Sequence, residues 1–178
     1  SNYNRGVKVL FLCGRELEYA RNQVLYRAFK TFSDVDLVAE TGGGKSLMLR
    51  SMRVALRALP KYLIHRYDLI FIGFYGYLLL PFSHPRKGAP LLFDAFVSNF
   101  NTLIEDRKVA AQGSLVAKLA QALDSYGLNA ADYILLDTQS HADYFSRRIG
   151  LSPERIKIVP VGSVDSIFAP SVASGSRE

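Results

Sequence analysis

A chain of 178 residues, 49% apolar and 21% charged, can bury one full core, which excludes a wholly disordered protein. One cysteine and three scattered histidines exclude an internal disulfide and a cysteine or histidine metal cage. No apolar run reaches the roughly 18 residues of a membrane-spanning helix and no secretory leader is evident, so a reducing, cytoplasmic setting is expected.

Val7–Cys13 (VKVLFLC), ended by Gly14, reads as a buried strand. From Glu16 to Phe32, apolar residues such as Leu17, Val24, Leu25, Ala28 and Phe32 recur at helical spacing. Val35–Ala39 is a second strand, followed by three glycines and a helical pattern over Ser46–Arg66 with a kink expected near Pro60. Tyr67–Phe74 and Pro90–Phe93 are the third and fourth strands, joined by a loop that contains YLLLPF. Leu115–Tyr126 is amphipathic, with Leu115, Leu119, Ala122 and Tyr126 on one face and Gly127 as its stop. Tyr133–Leu136 is a fifth strand, His141–Ile149 a helix ended by Gly150, and Ile156–Val159 a sixth strand.

Strands apolar throughout and separated by helices predict a parallel sheet covered on both faces. The expected fold is α/β, a three-layer, doubly wound, mainly parallel, Rossmann-like domain over residues 1–170, with 171–178 as a linker or disordered tail. In such folds the ligand crevice lies beyond the carboxyl ends of the strands. Here those ends are Gly14-Arg15, Glu40, Gly73-Phe74, Asp94 and Asp137-Thr138.

The net charge is 22 − 16 = +6, and it is unevenly placed. No acid lies between Glu40 and Asp68, whereas Lys45, Arg50, Arg53, Arg57, Lys61 and Arg66 do. Arg50, Arg53, Arg57 and Lys61 are spaced for one helical face, with Leu49, Met52, Leu56 and Leu59 on a neighbouring apolar face. Such a basic amphipathic helix, near YLLLPF, suits peripheral binding to an anionic membrane surface. No zinc finger, helix-turn-helix or RNA-binding aromatic signature accompanies the charge, so no nucleic-acid partner is expected.

Two phosphate motifs are incomplete. Ala39–Ser46 (AETGGGKS) has Walker A spacing with Ala in place of the leading Gly, which makes a phosphate loop using Lys45 and Ser46 the alternative reading. A dinucleotide fingerprint counted from Gly14 needs glycines where Glu16 and Tyr19 stand, so Glu40 alone does not make a ribose site. Cys13 reads as a small core residue, and Tyr75, Tyr77 and Tyr126 as packing or rim aromatics. His65, His84 and His141 lack partners at ligand spacing, so no metal site is expected.

A third pattern extends over nearly the whole chain. Ala130–Ser140 (AADYILLDTQS) resembles the strand-then-Ser/Thr segment of family-4 glycosyltransferases. Ile156–Pro170 (IKIVPVGSVDSIFAP) is similar to their interdomain junction, with Ser163 standing between Gly162 and Val164. The resemblance implies the amino-terminal half of a GT-B enzyme, a hexosyltransferase type in which two Rossmann-like domains face across a cleft. This half would receive a hydroxyl acceptor, lipid-linked or a polysaccharide. The absent carboxyl-terminal domain would hold the nucleotide-sugar donor, so no cofactor is expected on this half alone, nor transfer without its partner domain.

Residue by residue, the resemblance implies roles at matching positions. Gly14 and Arg15 would bring backbone amides near donor phosphates and acceptor. Asp94 would lie beside the reacting centre as the catalytic group, orienting an acceptor hydroxyl or taking its proton. Asp106 and Arg107 would bind acceptor phosphate, and Thr138 and Gln139 would line the crevice. The same implication places the full enzyme at the inner face of a membrane.

Overall fold

The computed structural model describes residues 6–14, 17–40, 46–74, 76–82, 88–96 and 114–160. The elements in chain order are β1 (Val7–Cys13), α1 (Ala20–Phe32), β2 (Ser33–Ala39), α2 (Leu47–Ile64), β3 (Leu69–Ile72) and a 3-10 helix (Tyr77–Phe82). There follow β4 (Leu91–Asp94), α3 (Leu115–Ala130), β5 (Tyr133–Leu136), α4 (Gln139–Ile149), a 3-10 turn (Pro153–Arg155) and β6 (Ile156–Ile158). The six strands form one sheet in the order β2-β1-β3-β4-β5-β6, every pairing parallel. This is the doubly wound α/β architecture the alternating pattern predicts.

β1 shows why its sequence sits at the centre. Alternate side chains of a strand point to opposite faces, so a strand buried on both must be apolar at every position. Leu10 and Leu12 enter the core beneath α2, whereas Val9, Phe11 and Cys13 enter the core beneath α1. In the α1 layer Phe11 packs edge-on to Tyr26 and Phe29 and lies 4.5 Å from Phe71, ring centre to ring centre. The opposite layer gathers Val54, Ala58 and Tyr62 of α2, Leu128 of α3 and Phe145 of α4 into one cluster.

Helix ends follow their capping residues. Ser46, Ser114 and Thr138 each accept a hydrogen bond from the backbone amide three residues on, at 3.3, 3.2 and 3.3 Å. Gly150 closes α4 at a φ of 73°, a left-handed conformation that favours glycine. Pro60 does not end α2, which continues to Ile64; the proline withholds only one amide from the ladder.

Two expectations are corrected. Gly127 does not stop α3, which runs on to Ala130. Its missing side chain instead seats the 3-10 helix: a Cβ there would lie 2.7 Å from Leu80 Cδ1 and 2.9 Å from Tyr77 Cδ1. YLLLPF is accordingly not a surface loop, since Tyr77, Leu79 and Leu80 are buried between α2 and α3. Gly127→Ala should therefore cost stability, about 1–3 kcal/mol of overpacking outweighing a helix-propensity gain of about 1 kcal/mol. A thermal melt at or above the parent's would show that the seat is not tight.

The outer edge of the sheet is tied by Asp36 of β2. Its carboxylate accepts the Tyr67 hydroxyl at 2.6 Å and lies 3.3 Å from Lys61 Nζ and 3.8 Å from Lys8 Nζ. The Tyr67 bond, reinforced by Lys61 and Lys8, holds the Asp36 carboxyl below its ordinary value, while burial and the same bond push the Tyr67 phenol up. The lowered Asp36 contributes stability that is complete above about pH 4 and is lost as pH falls through its folded value. The raised Tyr67 contributes stability that is complete below about pH 10 and is lost as pH rises beyond it. Melting temperature against pH should fall at both ends, and Asp36→Asn should flatten the acid limb; an unchanged acid limb would assign it to other carboxylates.

Candidate functional site at the carboxyl ends of the strands

From β1 the chain turns outward to β2 and then returns across β1 to β3, so the winding direction reverses between β1 and β3. A crevice opens at such a switch point, outside the strand ends. Gly14 follows β1 there, and a Cβ on it would come within 3.2 Å of Ser51 Oγ and 3.3 Å of Leu79 Cδ1. Asn22, fully buried at the start of α1, staples the two strand ends together. Its Oδ1 accepts the Phe74 amide at 3.0 Å, and its Nδ2 donates to Cys13 Sγ at 3.2 Å. Gly73 leaves room for this side chain, because a Cβ would lie 2.8 Å from Asn22 Oδ1.

Arg21, one residue earlier, makes the strongest polar contact of the crevice floor. Nε donates to Asp94 Oδ2 at 2.7 Å and Oδ1 at 3.0 Å, and Nη2 donates to Oδ1 at 2.9 Å. Nη1 donates to the Val159 carbonyl at 3.1 Å. α1, β4 and the segment after β6 thus meet on one guanidinium. Phe96 covers it, its ring centre 4.7 Å from Arg21 Cζ, and Phe74 and Tyr19 continue this aromatic wall.

Asp94, expected as the catalytic group, is fully buried with both oxygens in the Arg21 fork. Burial pushes its carboxyl up from the ordinary value and nearby Asp137 adds to this, while Arg21 and a Phe96 backbone bond pull down. In this arrangement Asp94 is a strut: reaching a hydroxyl would require Arg21 to let go.

The exposed chemistry lies one strand further along. Asp137 ends β5, and its Oδ1 takes His141 Nδ1 at 2.6 Å across the first turn of α4. A carboxylate only accepts, so Nδ1 carries the proton and Nε2 faces away from Asp137, with the ring part-exposed. Thr138 Oγ1 caps α4 through the His141 amide, and Gln139 donates to Asp143 at 2.8 Å on the helix surface. β5 pairs with β4, Leu135 lying opposite Asp94, so the Asp137–His141 pair sits at the same end of the sheet as Asp94.

Gly14, Asp94 and Thr138 therefore come together at the strand ends, while Gln139 is turned along α4. Arg15, Lys45, Asp106 and Arg107 lie outside the described residues, as do the junction from Val161 onward and the tail. Ser46 caps α2, whose Ser51 lies against Gly14 at the end of β1.

The four basic residues of α2 do not form one free face. Arg50 is buried, Arg53 and Arg57 approach buried Glu40 at 3.7 and 3.0 Å, and Lys61 is held by Asp36. The sequence reading missed Arg21, Asn22 and the Asp137–His141 pair. The last had a visible signal: a strand-end acid four residues before a histidine, with a capping threonine between.

Among the described residues no three His, Cys, Asp or Glu side chains gather as a metal site would require. No family model matches this chain, and no curated protein does.

Proposed function

We propose that this chain is the acceptor-side half of a GT-B, family-4-like glycosyltransferase, which moves a hexose from a nucleotide sugar to a hydroxyl acceptor. The intact enzyme works in the cytoplasm against the inner face of a membrane, and its donor-side domain completes the cleft. The observation that carries this reading is an imidazole oriented by a carboxylate just after β5, at the same carboxyl edge of the sheet as the β1/β3 switch point. The two segments similar to family-4 enzymes add to it, since one of them, Ala130–Ser140, contains Asp137 and the cap of α4.

Within this reading His141 accepts the proton of the attacking hydroxyl through Nε2, and Asp137 is its positioning residue. Arg21 and Asn22 fix the strand ends against which the acceptor lies.

The test joins the chain to its donor-side domain and presents a panel of nucleotide hexoses with lipid extracts and soluble polyols. Acceptor-dependent release of nucleoside diphosphate is the expected result. No transfer, together with protection by magnesium-ATP that disappears in Lys45→Ala, would overturn it in favour of a phosphate loop.

A further inference from the structure

Exposed aromatic rings scattered singly over a surface need no explanation, but Tyr19 is held in place. It precedes the first residue of α1, and its carbonyl accepts the Gln23 amide at 3.0 Å. Its side chain makes no cap bond, so the ring is not needed to start the helix. Instead the ring stacks on Phe74, the centres 4.8 Å apart and the planes 27° from parallel. Phe74 is buried and fixed in turn, its amide donating to Asn22 Oδ1 and its ring edge-on to Phe96. Tyr19 is nevertheless 38% exposed.

Topology sets the place of this ring. Tyr19 comes from the segment between β1 and α1, and Phe74 lies two residues beyond the end of β3. The winding reverses between β1 and β3, so the stacked pair bridges the strand ends where a doubly wound sheet takes its ligand. From there Phe96 leads to the Arg21–Asp94 floor. A part-exposed ring held in this way has given up its rotamer freedom before any ligand arrives, which is the condition for a preorganised contact.

The chemistry of the ring selects what lies on it. An aromatic face is electron-rich and attracts C–H groups made positive by neighbouring oxygens. One face of a pyranose presents several such axial C–H bonds side by side, while its hydroxyls point outward to water and polar groups. An aliphatic tail lacks that polarity and gains only from buried area, for which leucine serves as well as tyrosine. An acyclic polyol holds no flat face. We infer that Tyr19, backed by Phe74, is the stacking platform for a pyranose ring of the acceptor. The inference rests on the transferase reading and narrows it: the acceptor presents a sugar ring, and is neither a simple alcohol nor a bare lipid phosphate. A nucleobase also stacks on tyrosine, but that reading assigns the nucleotide to the donor-side domain.

Saturation-transfer NMR on the purified chain with methyl β-glucopyranoside, methyl α-mannopyranoside, mannitol and uridine tests this. The pyranosides should receive saturation at their axial ring protons, and mannitol should not. Tyr19→Phe keeps the aromatic face and should bind within about twofold of the parent, whereas Tyr19→Leu should bind about five- to tenfold more weakly. Both variants should melt like the parent, because the ring takes no part in the helix cap. In the chain joined to its donor-side domain, Tyr19→Leu should raise KM for a glycoside acceptor by a similar factor and leave kcat in place.

An absence of saturation in both pyranosides overturns the inference, as does equal saturation of mannitol or equal binding by Tyr19→Leu. Saturation of uridine alone assigns the ring to a nucleobase and overturns it too. Loss of binding in Tyr19→Phe as well assigns the contact to the hydroxyl and not to stacking. Ring-dependent pyranoside binding without transfer leaves the platform standing and sinks the transferase reading. Transfer to glycosides that ignores Tyr19→Leu does the reverse.

Discussion

Arg21→Met should lower the stability of this domain by about 3–5 kcal/mol, the cost of leaving one partner of a buried ion pair uncompensated. For a domain of this size that is a fall in melting temperature of roughly 6–20 °C. The cause is the Asp94 carboxylate, which is fully buried and takes three of the guanidinium's donations. Without them it must ionise in an apolar surround or stay protonated, so the variant's deficit should shrink as pH is lowered. Asp94→Asn should cost less, because the amide oxygen still accepts from Arg21. The double replacement Arg21→Met with Asp94→Leu should recover much of the loss, since it removes both desolvated charges. A single variant costing under about 1 kcal/mol would show that the pair is solvated in solution and not the strut described. The fourth donation, to the Val159 carbonyl, adds a second readout. In Arg21→Met, amide exchange after β6 should quicken more than exchange in α2, which does not touch the guanidinium.

That contact also marks the limit of what the sequence made legible. Strands and helices were readable because burial on both faces forces continuous apolar runs such as Val7–Cys13, and because Thr138 and Gly150 punctuate α4. The alignment of the strand ends was readable as well, since a parallel sheet brings them all to one edge. The Arg21–Asp94 pair was not, because its members are 73 positions apart and Arg21 alone resembles an ordinary surface residue. The direction of α2 and α3 was hidden for a different reason. Periodicity reveals that a helix has an apolar stripe, but α2 has apolar residues on both sides and α3 turns Ala117 and Gly127 inward while Leu115 and Leu119 are exposed. Gly127 decided which side met the core, through its contact with Tyr77 and Leu80. The same short-range logic misread it as a stop. Arg50, Arg53, Arg57 and Lys61 share a helical face, yet their partners Glu40 and Asp36 come from β2, which spacing along α2 could not reveal.

Within the proposed reaction, His141→Ala should lower kcat for transfer by about a hundredfold or more, the usual worth of a positioned proton acceptor. That loss corresponds to about 2.7 kcal/mol of transition-state stabilisation, at 1.36 kcal/mol for each tenfold. KM should change little, because the ring is asked to act on the hydroxyl as it attacks and not to hold the acceptor's body. Structural damage would read differently. The His141 amide, not its ring, completes the Thr138 cap, so α4 and the melting temperature should survive the replacement. Added imidazole should restore part of the rate by occupying the space the side chain leaves, an effect that a purely structural residue would not show. Asp137→Asn keeps a partner for the ring and removes the charge, so its loss should be smaller and should again fall on kcat. If His141→Ala transfers at the parent rate, the proton passes elsewhere. Were Asp94 the acceptor instead, the Arg21 fork would have to open during turnover.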